Sequence, residues 1–209
     1  MIAKGLEITN FETVQWHPDD LIGGDPCLDL VNTAGGRTKA RDVERLIDYA
    51  SALRWSSVAG LLNDAEAAQL RHDLADGAAA LDRLRRFREH LHAALLAIAE
   101  RRELPAAAWS RVEADLREAR TRASLVGGVG GFTWSIPVER AGPHTIRLRA
   151  ALAADRLLTG DDLGRVRSCQ RCSWLYVDRS RGRRRRWCSM AACGNRAKVQ
   201  RHYERSQRA

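Results

Sequence analysis

The stretch that decides the fold runs from Cys169 to Arg196 and reads CQRCSWLYVDRSRGRRRRWCSMAACGNR. It spaces four cysteines as C-x2-C-x15-C-x4-C. A C-x-x-C turn directs two thiolates at one ion, and a second pair completes the tetrahedron that Zn²⁺ prefers. The pattern predicts one structural Zn²⁺, with no open position for a substrate, on these ligands: Cys169, Cys172, Cys188 and Cys193.

Two other uses of these cysteines fit the sequence less well. Disulfides are rare in proteins that are not secreted, and the amino-terminal residues show no secretion signal. A redox C-x-x-C would open a helix in a βαβ unit and would not need Cys188 and Cys193.

The residues between and after the cysteine pairs predict a treble-clef finger. Trp174 to Val177 is β-prone, and a glycine-containing turn leads to Arg184 to Trp187, which we expect to pair with it as a hairpin. Asn195 to Gln207 lacks Gly and Pro and predicts a helix. Residues 166–209 are too few to bury a sufficient core alone. Zinc should therefore hold this segment folded, and its removal should unfold the tail while the rest of the chain stays intact.

Positive charge is concentrated in the same segment. The whole chain carries 35 Lys and Arg against 26 Asp and Glu, a net charge of +9. Residues 165–209 hold 14 of the basic residues and two acids, so they carry +12, whereas residues 1–164 carry −3. Many cations on a rigid scaffold predict binding to a nucleic-acid backbone. The candidate contacts are Arg179, Arg181, Arg183, Arg184, Arg185, Arg186, Arg196, Lys198, Arg201 and Arg205.

Residues 1–165 predict a mainly helical domain with minor β structure. Expected helices run from Asp42 to about Trp55, from an Asn63–Glu66 capping box to about Ile98, from about Pro105, and from Thr145 to Thr159 before Gly160. We expect a weak point of the long helix at Gly77 and a flexible turn at Gly127–Gly131. Alternating apolar residues predict strands from Phe11 to Trp16 and from Phe132 to Val138.

This domain shows no nucleophile–base pair and no metal-ligand spacing, so we expect no enzyme activity. Cys27 fits a buried apolar position, and the histidines fit a solvated surface: His17, His72, His90, His92 and His144. Asp29, Asn32 and Thr33 either satisfy buried backbone groups or line a pocket.

No apolar stretch could cross a membrane. The longest one, Ala93 to Ala99, has seven residues, and a span needs about 20. We therefore expect a cytoplasmic protein.

Taken together, the tail closely resembles the CGNR zinc-finger family through Cys193-Gly194-Asn195-Arg196 and the preceding RWCSM. The stretches GGDPCLDLVNT (residues 23–33) and LIDYASALRWSSVAGLL (residues 46–62) are similar to the ABATE domain that accompanies this finger. The resemblance implies a bacterial stress-induced transcription regulator, with residues 1–165 as the ABATE-like domain and residues 166–209 as the nucleic-acid-binding treble clef.

The leading interpretation is a zinc-dependent regulator that binds DNA through its finger. The amino-terminal domain would then bind a small-molecule effector or form a homodimer. Three alternatives stay open: an RNA-binding protein, an enzyme or ligand-binding domain near Asp29 with the finger as a localising module, and an adaptor for an acidic protein.

Overall fold

The computed structural model describes residues 15–71 and 74–207. Eight α-helices span Pro26–Val31 (α1), Tyr49–Val58 (α2), Asp64–Arg71 (α3), Leu74–Ala99 (α4), Ala106–Arg122 (α5), Val138–Ala141 (α6), Thr145–Thr159 (α7) and Asn195–Ser206 (α8). Two antiparallel pairs are formed by Ser124–Gly128 (β1) with Gly131–Ser135 (β2) and by Val166–Ser168 (β3) with Leu175–Val177 (β4). The predicted α+β class, mainly helical with minor β, is confirmed. Residues 11–14 of the predicted first strand lie outside the described residues.

Helix α7 lies at the centre of the main core, in contact with α1, α4 and α5. It has the predicted bounds and ends before Gly160. Apolar residues cover most of its surface, which is typical of a buried helix. Its buried Arg147 is paired with Asp115 and Glu118, and its partly buried Arg149 is paired with Glu66. Buried charge is tolerated only with such partners.

The start of α2 differs from the sequence expectation. The Asp48 carboxylate accepts a hydrogen bond from the Ser51 N–H and caps the helix at Tyr49, so the predicted start at Asp42 is wrong. Residues 42–48 are held in another way. Glu44 forms a β-bridge with Ala34, and the Arg45 N–H donates to the Thr33 carbonyl oxygen.

The long helical region begins as predicted but has no break at Gly77. Asn63 and Glu66 form the reciprocal capping box, with both hydrogen bonds at 2.9 Å. Gly77 lies inside α4, where a Cβ would come within 2.9 Å of the Tyr49 ring. The glycine therefore permits close packing of α4 on α2, and the predicted weak point is wrong.

Strands β1 and β2 form a hairpin with a two-residue turn at Val129 and Gly130. The turn is therefore shorter than the predicted Gly127–Gly131, because Gly127 and Gly128 belong to β1 and Gly131 belongs to β2. The predicted strand from Phe132 ends at Ser135, because Ile136 enters the core and Val138 starts α6.

The carboxy-terminal segment shares the main core. Val166, Leu175 and Val177 of β3 and β4 are buried with the helical residues. A second, small cluster contains Tyr176 and the four tail cysteines, with Trp174 and Trp187 packed against it. Within the described ranges, no helix is both long enough and apolar enough to span a membrane.

Candidate metal centre and nucleic-acid interface

The four tail cysteines form one buried cluster. Their Sγ atoms all lie within 4.8 Å of one another, and each residue is at most 1% exposed. Cys169 and Cys172 come from the turn between β3 and β4. Cys188 follows the arginine-rich loop, and Cys193 lies in a π-helical turn, Met190–Gly194, that leads into α8.

The geometry of the cluster fits one Zn²⁺. Sγ of Cys188 lies 3.6 Å from Sγ of both Cys172 and Cys193. A tetrahedron with Zn–S bonds of about 2.3 Å has S···S edges of about 3.8 Å, close to these distances. All four ligand positions are thiolates, which defines a structural site rather than a catalytic one. Zinc bound here would supply the cross-link that holds the finger's small core together.

The four thiols share their protons through one hydrogen-bond network. The Cys172 thiol, followed by the other two, donates hydrogen bonds that lower the pKa of Cys169. The same network, led by Cys169, raises the pKa values of Cys172 and Cys188. Zn²⁺ binds cysteine as the thiolate, so a bound ion would replace these protons.

Arg196 connects this cluster to the amino-terminal domain. Its Nη2 lies 3.2 Å from Sγ of Cys193 and donates to the Gly36 carbonyl oxygen, also at 3.2 Å. Its Nη1 lies 3.5 Å from the Arg37 carbonyl oxygen. Arg196 is a predicted nucleic-acid contact, whereas in the structure its guanidinium contacts a zinc ligand and a loop of the helical domain.

The same loop forms a seat for the zinc knuckle, residues 169–174. Gly36 has φ +102°, and a Cβ there would come within 2.5 Å of the Trp174 ring. The Trp174 Nε1–H donates to the Ala34 carbonyl oxygen at 3.0 Å. Nζ of Lys39 donates to the Cys169 carbonyl oxygen. The knuckle therefore lies directly against residues 34–39.

His92 adds a contact from α4. It is 8% exposed, and its Nε2 lies 3.0 Å from the Ser173 carbonyl oxygen. Burial, followed by the charge of Arg41, lowers the pKa of His92 to about 4, so the ring is neutral and Nε2–H is the donor. The predicted solvated position of His92 is wrong. His17 is exposed as predicted, whereas His72 lies outside the described residues.

Asp29, Asn32 and Thr33 bond to protein groups. Asp29 accepts a hydrogen bond from the Gly23 N–H at 2.7 Å, and burial raises its pKa to about 7. Thr33 donates to the Leu30 carbonyl oxygen and accepts from Arg88. Asn32 bonds to the backbone of Leu175 in β4. These contacts fit the first of the two predicted roles, in which the three side chains satisfy buried groups of the protein, and not the second, in which they line a pocket. Cys27 is fully buried, and burial raises the pKa of its thiol well above the usual value.

Strand pairing in the finger differs from the predicted hairpin. β4 pairs with β3 in the register Val166–Val177, and Arg184 to Trp187 is not a strand. This segment instead wraps around Tyr176, whose hydroxyl donates to the Arg185 carbonyl oxygen at 2.7 Å. Burial raises the pKa of Tyr176 to about 12, so the phenol stays a donor. The knuckle is thus the turn of a β3–β4 hairpin.

The arginine-rich loop is shaped by Asp178, which is 1% exposed. Its carboxylate accepts hydrogen bonds from the N–H and Oγ of Ser180 and from the N–H of Arg185. Gly182 and Arg183 adopt positive φ in the turn between them. One carboxylate therefore fixes both ends of the loop.

The predicted nucleic-acid contacts fall into two groups. Arg179 pairs with Asp162, Arg185 stacks on Tyr176 at 4.3 Å and bonds to backbone carbonyls, and Arg196 bonds as described. Arg179 is nevertheless exposed, as are the other members of the set: Arg181, Arg183, Arg184, Arg186, Lys198, Arg201 and Arg205. Among these, Arg186 also donates to Gln170 and stacks on Trp187.

This fold and this centre define a zinc-finger protein whose four-cysteine knuckle is docked on a helical domain. The family model ABATE, described as "putative stress-induced transcription regulator", matches residues 24–165, and the CGNR zinc-finger model matches residues 165–206. The chain belongs to the ABATE family and carries a CGNR zinc finger, as the sequence resemblance indicated. A comparison with curated proteins found no match.

Proposed function

We propose that this protein is a zinc-dependent, DNA-binding transcription regulator whose finger contacts the phosphate backbone. The observation that carries the proposal is the exposure of Arg181, Arg183 and Arg184 on one loop beside the cysteine cluster. Guanidinium groups suit phosphate oxygens, and Asp178 fixes the loop before any ligand arrives. Zinc would act through the fold, since all four of its ligands are buried.

The first turns of α8 extend this surface. Lys198 and Arg201 are exposed there, and Arg205 follows one turn later. Residues 165–209 contain only Asp178 and Glu204 as acids, and Asp178 is occupied by the loop. The surface therefore offers phosphate groups many cations and little repulsion.

Binding, rather than catalysis, is the role we propose for both domains. The helical domain would fix the position of the finger and receive the regulatory signal, whether a small effector or a second copy. Its attachment through residues 34–39 gives such a signal a direct route to the knuckle.

The proposal is tested by fluorescence anisotropy of a labelled DNA duplex with zinc-loaded protein at several salt concentrations. If about five phosphates are contacted, log K should fall against log salt with a slope of about −4 to −5. The triple variant R181A/R183A/R184A should flatten that slope by about 2.7, at 0.9 per contact.

A charge-matched control removes three exposed arginines of the helical domain: Arg71→Ala, Arg83→Ala and Arg111→Ala. This control should keep the wild-type slope. Competition with tRNA distinguishes the nucleic acids: displacement of the duplex by a small excess of tRNA would indicate an RNA-binding protein. Binding that is absent or insensitive to salt would overturn the proposal.

A further inference from the structure

The β1–β2 hairpin is apolar, uncharged and exposed. Residues 124–135 contain no Asp, Glu, Lys or Arg, in a chain with a net charge of +9. Leu125 is 53% exposed, Phe132 69% and Trp134 57%, whereas most large apolar side chains of the described chain are buried. An exposed apolar patch of this kind marks an interaction surface.

The register places these three side chains together. Leu125 lies opposite Trp134, and Phe132 lies opposite Gly127, two positions further along the strands. Since side chains alternate between the faces of a strand, the three share one face. A two-stranded hairpin by itself is marginally stable in water, and further strands or packing against a helix stabilise it.

The outer edge of β2 is complementary to itself. In a hairpin with a two-residue turn, the closing pair, here Gly128–Gly131, is hydrogen-bonded, and bonded pairs then alternate along the strands. Thr133 therefore directs its N–H and C=O inward to Val126, while Phe132 and Trp134 direct theirs outward. The β2 strands of two copies can pair antiparallel about a two-fold axis at Thr133. Phe132 of one copy then lies opposite Trp134 of the other. Every outward group then finds a partner.

We propose that the chain forms a two-fold dimer through β2, giving a four-stranded antiparallel sheet across two copies. The pairing is isologous, as a closed dimer requires, and it sets aromatic side chains side by side across the axis. Proteins that stay monomeric protect such edges with Lys or Pro, and residues 124–135 have neither.

Charge and area favour a second copy as the occupant. The positive charge is concentrated in residues 165–209, whereas residues 1–164 carry only −3 and the hairpin itself is uncharged, so two copies meet there with little repulsion. The three exposed side chains of the shared face, Leu125, Phe132 and Trp134, offer about 350 Å², since a large side chain presents roughly 150 to 250 Å². A standard interface takes about 800 Å² from each partner, so this face supplies roughly half of that area and the paired backbone edge adds to it.

The test is light scattering on the full zinc-loaded chain, which should give twice the 23.3 kDa chain mass. The double variant F132K/W134K places like charges across the two-fold axis and should be monomeric. Val126→Lys adds a charge on the opposite face of the hairpin and should remain dimeric. Circular dichroism of each variant verifies that the helices are retained.

Hydrogen exchange provides an independent readout at single residues. The amides of Phe132 and Trp134 should become protected as concentration rises, while the Thr133 amide, already bonded inside the hairpin, should not change. A wild-type chain that stays monomeric up to about 100 µM, or a charged variant that remains dimeric, would overturn the proposal. The result does not depend on nucleic-acid binding.

Discussion

Asn32 and Leu175, 143 residues apart in the chain, are joined by two hydrogen bonds in the core. The Asn32 Nδ2–H donates to the Leu175 carbonyl oxygen at 2.8 Å, and the Leu175 N–H donates to Oδ1 of Asn32 at 2.9 Å. The amide thereby pairs with β4 as a neighbouring strand would. A residue of the ABATE domain thus completes the hydrogen bonding of a strand in the finger.

Replacing Asn32 by Leu should destabilise the whole chain. Both backbone groups of Leu175 would stay buried without this partner, at about 1 to 3 kcal/mol each. We expect a loss of about 2 to 5 kcal/mol in urea unfolding. Asn63→Ala removes an exposed helix cap and should cost only about 1 kcal/mol, so equal losses for the two variants would contradict this account.

The Gly36 seat can be tested against a second glycine. Gly36→Ala introduces a Cβ within 2.5 Å of the Trp174 ring at φ +102°, whereas Gly60→Ala has φ +70° and no atom within 4 Å. Both variants strain the backbone, but the first should also displace the knuckle. We expect a thermal midpoint for Gly36→Ala lower by about 2 to 4 °C or more than that for Gly60→Ala, as about 1 kcal/mol or more of extra cost implies. Similar midpoints would mean that the knuckle does not depend on this seat.

Arg196 should affect zinc affinity as well as packing. Loss of a hydrogen bond to a metal ligand typically weakens binding 10- to 100-fold, so Arg196→Ala should lower zinc affinity by about that factor. Competition against a chelating dye measures it. Lys198→Ala removes an exposed charge from the same helix and should leave the affinity unchanged. Wild-type zinc affinity in Arg196→Ala would show that its contact with Cys193 does not stabilise the centre.

His92 predicts an acid-sensitive contact between α4 and the knuckle. Its pKa is near 4 in the folded chain and about 6.5 when unfolded, so its contribution is present above about pH 6.5 and declines as pH falls toward 4. Between about pH 7.5 and pH 5.5, wild type should lose about 1 kcal/mol more than His92→Gln, whose amide can donate without titrating. Urea unfolding of both zinc-loaded proteins measures the difference. Identical pH profiles would show that the ring does not titrate in this range.

Zinc removal should unfold only part of the finger. With a chelator, the amides of residues 169–174 and of α8 should lose protection from hydrogen exchange, because their small core depends on the four cysteines. β3 and β4 should keep much of theirs, since Val166, Leu175 and Val177 lie in the main core. This differs from the expectation that the whole tail unfolds, and unchanged protection of α8 would contradict both.

The zinc ligands were predictable because ligand type and spacing are local properties of the sequence. The bounds of α7 and the Asn63–Glu66 cap were predictable for the same reason. Asp42 and Asp48 are equally good caps by residue type, and only the bridge from Ala34 to Glu44 decides between them. No local pattern contains that contact.

The contacts between the finger and the helical domain could not be predicted from the sequence. His92 and Ser173 are 81 residues apart, and a histidine on a charged helix gives no sign of its carbonyl partner. The three residues of β3 are too few to show a strand period, so the β-prone run at β4 was paired with the wrong neighbour. In the sequence, nothing distinguishes Arg196 from the other arginines of the tail, and only its position 3.2 Å from Sγ of Cys193 does so.

The shared core of β3, β4 and the helices limits how the finger can be moved between proteins. A peptide cut at residue 165 would expose Leu175 and Val177 and would leave the Leu175 backbone without Asn32. Grafting this finger onto a foreign domain would therefore require the seat at residues 34–39 to travel with it. The finger can therefore be transferred only together with residues 34–39 and the part of the helical core that it shares.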